Sequence, residues 1–130
     1  MMYFPCELIV TDVLPTARSA IARSLIERHG YRQIDVAKSF GVTGSAVSQY
    51  LKGVRGGNEV INSNTYRESF YEMIDRAADA IAEGSDTVEI MCSVCTYAKD
   101  SGMMRDLCIY RNVDERLVDC LECPRVDIIN

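Results

Sequence analysis

One stretch, 33–52, constrains this chain more than any other: Gln33-Ile34-Asp35-Val36-Ala37-Lys38-Ser39-Phe40-Gly41-Val42-Thr43-Gly44-Ser45-Ala46-Val47-Ser48-Gln49-Tyr50-Leu51-Lys52. Two short helices that cross steeply over a tight turn make joint demands on their sequence. A small residue must stand where the helices nearly touch, and Ala37 fills that place. The turn needs a residue that accepts positive φ, and Gly41 does so without steric cost. Thr43 is a good N-cap for the second helix. Val36, Phe40, Val42, Val47 and Tyr50 or Leu51 fall at inward-facing positions. These demands are met together, which predicts a helix-turn-helix; a plain αα-hairpin is the structural alternative.

The second helix of such a unit lies in the major groove with its N-terminal end at the bases. Its exposed positions are Thr43, Gly44, Ser45, Ser48, Gln49 and Lys52. Gln49 can bond bidentately to adenine, and the Thr and Ser side chains offer hydroxyls and a methyl for thymine. Gln33, at the start of the first helix, is placed to donate to a phosphate, and Lys38, Lys52 and Arg55 are candidate phosphate contacts. The expected partner is double-stranded DNA. For each lone Lys or Arg, a solvated surface position is the competing reading.

A formal net charge of −5 argues against a DNA partner until the charge is divided along the chain. Residues 1–57 hold seven Lys/Arg against four Asp/Glu, a surplus of +3, and residues 58–130 hold seven against fifteen, a balance of −8. A mildly basic N-terminal module is thus joined to an acidic one. The surplus is too small for bulk charge to supply affinity, so dimerisation and well-placed contacts are expected to matter. No apolar run approaches the length of a membrane span, and no basic region followed by an apolar stretch opens the chain, so a cytoplasmic protein is expected.

Around the central stretch the punctuation is helical. Pro15 suits a first turn, where its missing N–H is unpaired anyway. Leu14, Ala17, Ile21 and Leu25 recur at helical spacing, and Gly30 follows as a stop, predicting a helix over 15–29. Gly56-Gly57 reads as a turn or short linker. Thr65 and Glu68 have capping-box spacing, which predicts a helix over 65–83 that Gly84 ends. Its stripe of Phe70, Ile74, Ala77, Ala78 and Ile81 can cover the helix-turn-helix core, form a dimer contact, or serve both purposes. His29, the single histidine, reads as a surface residue favourable to a helix C-terminus.

Five of the six cysteines fall near the C-terminus as Cys92-x2-Cys95-x12-Cys108-x11-Cys120-x2-Cys123, with Pro124 next. Two Cys-x-x-Cys hooks can each offer a pair of thiolates from a tight turn, and together they complete a tetrahedron. Without a secretory leader, metal chemistry is a better reading than a disulfide framework. Zn2+ would take Cys92, Cys95, Cys120 and Cys123. A [4Fe–4S] cluster can take any four of the five, and Cys-Pro at the last position resembles ferredoxin-type runs. Ile90, Met91, Met103, Met104 and Leu107 are available to shield a cluster from water. The cluster is the preferred expectation and zinc the alternative. Zinc would mainly supply folding energy, whereas a cluster would make the tail a redox or iron sensor. A thiol–disulfide redox protein using Cys92 and Cys95 is a remote third reading, because no thioredoxin-like βαβ pattern precedes them. No catalytic constellation is visible, so no enzyme is expected.

The segment 33–52 resembles the lambda-repressor-like (Xre-type) helix-turn-helix. More narrowly, Pro5-Cys6-Glu7, Leu14-Pro15, Arg18, Gly41-Val42-Thr43, Ala46-Val47-Ser48-Gln49-Tyr50-Leu51 and Arg55-Gly56 look like a family of predicted archaeal transcriptional regulators. That resemblance implies an all-helical DNA-binding domain. Some relatives fuse it to an enzyme-like sensing domain; here the Cys-rich tail stands instead, similar to the tails of short members. Some of those tails carry a His after the third Cys, where this chain has Ile109 and Tyr110. The expected fold is mainly α: a helix-turn-helix domain over 1–57, a linker and connecting or dimerisation helix over 58–87, and a Cys-ligated metal-binding tail over 88–130. The expected protein is a homodimeric transcriptional regulator.

Overall fold

Helix follows helix through residues 5–53 and 59–112, which the computed structural model describes, and no strand occurs among them. The order is α1 (Pro5–Leu8), a π-helical turn (Ile9–Val13), α2 (Leu14–His29), α3 (Gln33–Phe40), α4 (Gly44–Gly53), α5 (Glu59–Asn62), α6 (Arg67–Ala82), α7 (Thr87–Asp100) and α8 (Met103–Arg111). None is long and apolar enough to cross a membrane.

The chain enters α2 through the π turn, where the Leu14 amide bonds back five residues to the Ile9 carbonyl. Pro15 explains the widening: it has no N–H, and its ring would crowd the Thr11 carbonyl in a regular helix. The predicted helix 15–29 is therefore the straight part of a longer helical path that begins at Pro5. Gly30 ends α2 in the left-handed region, at φ 69°.

Helix α2 is the central strut. Its Ala17, Ile21, Ala22 and Leu25 are buried, and α6 packs along it with Phe70, Met73, Ile74, Ala77, Ala78 and Ile81. The α6 stripe is thus enclosed within the chain and leaves no apolar surface there for a dimer contact. The capping box expected at Thr65 and Glu68 does not form: α6 begins at Arg67. The Thr65 amide donates instead to Asp106 (2.9 Å), and buried Asn64 takes over the corner. The Asn64 Oδ1 accepts the Tyr66 amide (2.9 Å), and its Nδ2 donates to the Met103 carbonyl (3.0 Å). Tertiary bonds to the start of α8 have replaced a local cap.

The larger departure lies beyond residue 87. The first Cys-x-x-Cys pair sits inside α7 and not in a turn. No Gly or Pro interrupts 87–100, Asp86 caps the helix by accepting the Val88 amide (3.0 Å), and Ile90, Val94 and Ala98 recur every fourth residue on the buried side. With Met103, Met104 and Leu107 of α8 they join the same core as α2 and α6. The apolar residues expected to shield a cluster are therefore core residues, apart from half-buried Met91. The turn or short linker expected at Gly56-Gly57 lies outside the described residues, and α5 follows it with Val60 and Ile61 buried.

Candidate nucleic-acid interface and cysteine face

Helices α3 and α4 are joined by a three-residue turn, Gly41 to Thr43. Gly41 takes φ 66° and ψ 36°, which lets its amide close on the Ala37 and Lys38 carbonyls. A β-carbon at this φ is strained, so the sequence offers its one unhindered residue where the chain reverses. Thr43 caps α4 by accepting the Ala46 amide at 3.1 Å. Val36, Ala37 and Val47 are buried, with Phe40, Val42 and Leu51 half-buried against them. Phe40 and Tyr50 meet across the pair, with ring centroids 6.3 Å apart.

Two devices fix this pair on the strut. Arg23 of α2 donates to the Leu51 carbonyl (2.8 Å), satisfying an orphan acceptor in the last turn of α4. At the other side, the Thr87 hydroxyl donates to the Ser39 carbonyl (2.8 Å), tying the first residue of α7 to α3. Sequence reasoning did not single out either contact, because both join residues far apart in the chain.

One side of α4 is left to solvent. Ser45, Gln49 and Lys52 are exposed, and Ser48 beside them is half-buried, while Val47 points into the core. Ser45, Gln49 and Lys52 stand at i, i+4 and i+7, within one narrow band of the helix surface. Gly44 and Thr43 open the band at its N-terminal end, both exposed. Gln33 joins it from α3: its Oε1 accepts the Ser48 hydroxyl at 3.2 Å. That bond orients the amide and leaves the Gln33 NH2 group free to donate outward. Gln33, Ser48, Leu51 and Lys52 line a notch of about 450 Å³. The structure thus brings Gln33, Thr43, Gly44, Ser45, Ser48, Gln49 and Lys52 onto one side. Lys38 is exposed on α3. Arg55 lies outside the described residues.

The acidic half removes some of the basic half's charge. Arg28 reaches Asp75 (3.4 Å) and Asp79 (3.1 Å) on α6, and His29 Nε2 lies 2.7 Å from Asp79. The bond with His29, aided by Arg28, holds the Asp79 carboxyl below the usual range. His29 is thus more than a helix-end residue; it bridges α2 to α6. Arg32 pairs with Asp35 (3.1 Å), whose carboxyl also accepts the Arg32 amide (2.9 Å) and is held low by that partner. Neither Lys38 nor Lys52 forms a salt bridge among the described residues, although Lys38 stands close enough to Asp35 to help hold its carboxyl low.

Cys92 and Cys95 lie one helical turn apart on α7, exposed and half-buried respectively. Both open onto a groove whose other wall carries Val42 and Tyr50 of the helix pair. Cys108, on α8, is fully buried. Cys120 and Cys123 lie outside the described residues, and no group of three metal-ligating side chains occurs among those described. Two accessible thiols on adjacent turns fit as half of a tetrahedral or cluster site; a thiol enclosed by the core does not fit as a ligand without repacking.

The chain matches no family model, no curated protein and no solved structure.

Proposed function

We propose that this chain is a cytoplasmic transcriptional regulator of the lambda-repressor-like kind that reads double-stranded DNA with α4 as a homodimer. The observation that carries the reading is the exposed band of Ser45, Gln49 and Lys52, flanked by Gln33 and Ser48, on a helix seated by Val47 and pinned by Arg23. Short polar side chains at the N-terminal end of such a helix match base edges, and Gln33 and Lys52 suit the phosphates on either side. One module of this size rarely supplies enough affinity, so two copies on a two-fold site are invoked.

The test begins with selection of bound duplexes from a random pool, followed by fluorescence anisotropy on selected and scrambled DNA. Ser45→Ala combined with Gln49→Ala is expected to weaken binding to the selected site by roughly 10- to 100-fold, since a good base contact is worth about 1–3 kcal/mol. Binding to scrambled DNA should hardly change. Equal losses on both duplexes would remove these residues from base reading.

The cysteines extend the reading to a metal. Cys92 and Cys95, with Cys120 and Cys123, are the ligand set favoured by the burial of Cys108. A [4Fe–4S] cluster there would supply redox or iron sensitivity, and Zn2+ would supply stability alone. Protein purified without oxygen is expected to show a broad visible band with iron and sulfide in the same sample. A colourless protein with one zinc per chain would overturn the cluster and leave a structural site.

A further inference from the structure

We propose that the groove between α7 and the α3–α4 pair is a binding site for a small apolar monocarboxylate, recognised by Arg18. The groove has a volume of about 410 Å³, within the range of small-molecule sites. Phe40, Val42 and Tyr50 form one wall, Val88, Met91, Cys92 and Cys95 the other, and Leu14 and Arg18 of α2 contribute between them. Arg18 is half-buried, yet no hydrogen bond or ion pair holds its guanidinium among the described residues. The other arginines of α2 are engaged, Arg23 on the Leu51 carbonyl and Arg28 on Asp75 and Asp79. Thr87, also at the groove, directs its hydroxyl to the Ser39 carbonyl.

A guanidinium drawn partly out of water without a counter-charge is an unfavourable arrangement that an anion relieves. Its planar fork matches a carboxylate bidentately. Arg18 is the one charged side chain in the described lining, so it selects a single negative charge carried on an aliphatic or aromatic body; Cys92 and Cys95, the proposed metal ligands, edge the same groove. An occupant would touch Tyr50 on α4 and Met91 on α7 together, so it would set the position of α4 against the body of the protein. That consequence for DNA rests on the proposed reading of α4, whereas the binding itself does not.

The test is isothermal calorimetry on the full chain as purified, without DNA, using 4-phenylbutanoate and its neutral amide as probes. A failure here therefore stands apart from a failure of DNA recognition. The acid is expected to bind at least about tenfold more tightly than the amide, the size of one charge-assisted contact. Arg18→Gln should remove that difference. Val88→Glu, at a side chain 69% exposed and so tolerant of change, should weaken the acid about tenfold by placing a like charge at the groove and should spare the amide. Equal binding of acid and amide by the unaltered protein, no binding of the acid, or an acid preference that survives Arg18→Gln would each overturn the proposal. The comparison of acid with amide on the unaltered protein needs no variant to fold.

Discussion

Replacing Phe70 with alanine is expected to lower the unfolding free energy by about 3–5 kcal/mol, the usual cost of deleting a buried ring and leaving its cavity. Phe70 is fully buried at the start of α6, where it packs edge-on against Tyr71 with centroids 5.3 Å apart. It is the first member of the stripe that covers α2, so the cavity opens in the core that the described helices share. A domain of this size has roughly 5–15 kcal/mol to lose, which makes this about a fifth of the total or more. Urea unfolding followed by circular dichroism measures it, with Ile34→Ala as a control at a side chain 53% exposed. The control should shift stability by less than about 0.5 kcal/mol. Similar losses in the two variants would mean that the α6 stripe is not core in solution.

The second large effect is expected at Arg111. Asp12 sits in the π turn with its side chain only 3% exposed, and both of its oxygens accept bonds from Arg111 of α8, at 2.8 and 3.3 Å. Removing the partner of a buried carboxylate costs about 3–5 kcal/mol when both members are enclosed. The Arg111 side chain is 43% exposed, so water takes up part of the loss, and Arg111→Met is expected to cost about 2–3 kcal/mol. Combining it with Asp12→Leu should restore much of that, because the unpaired charge is then gone. A double variant as unstable as the sum of its parts would show that the pair acts through packing and not through charge. The contact matters for architecture because it joins residues 99 positions apart and closes α8 onto the entry to α2.

Local chemistry alone accounts for much of this fold. Gly30 and Gly41 fall where the backbone must turn left-handed, and Thr43 bonds the amide three residues on, which makes it a cap wherever the turn is placed. The apolar periods of 15–29 and 70–81 name their helices because a helix faces its core every 3.6 residues. The band of Gln33, Ser45, Ser48, Gln49 and Lys52 is legible for the same reason: once Val47 points inward, its neighbours' directions follow.

The failures have one cause. Thr65 and Glu68 satisfy a capping pattern, yet the Thr65 amide goes to Asp106, forty-one residues away, and the helix starts later. Cys92-x2-Cys95 was expected in a tight turn, yet Ile90, Val94 and Ala98, buried on the opposite side of the segment, make it part of helix α7, with the two thiols left on its outer side. In each case a sequence window of four residues was weighed without the tertiary partners that outbid it. Spacing within single elements was enough to name the helices over 15–29, within 33–52 and over most of 65–83, the reversals after α2 and α3, and the side chains of α4 that meet solvent, because these depend on backbone sterics and on periodicity within one element. Tertiary contacts alone set that α6 encloses its apolar stripe against α2, that Arg28 and His29 meet Asp75 and Asp79, that Cys108 is enclosed, and that Arg18, in a groove beside α4, has no partner among the described residues. Those depend on which distant elements meet, and burial or a counter-charge from another helix is not written in the spacing of any one of them.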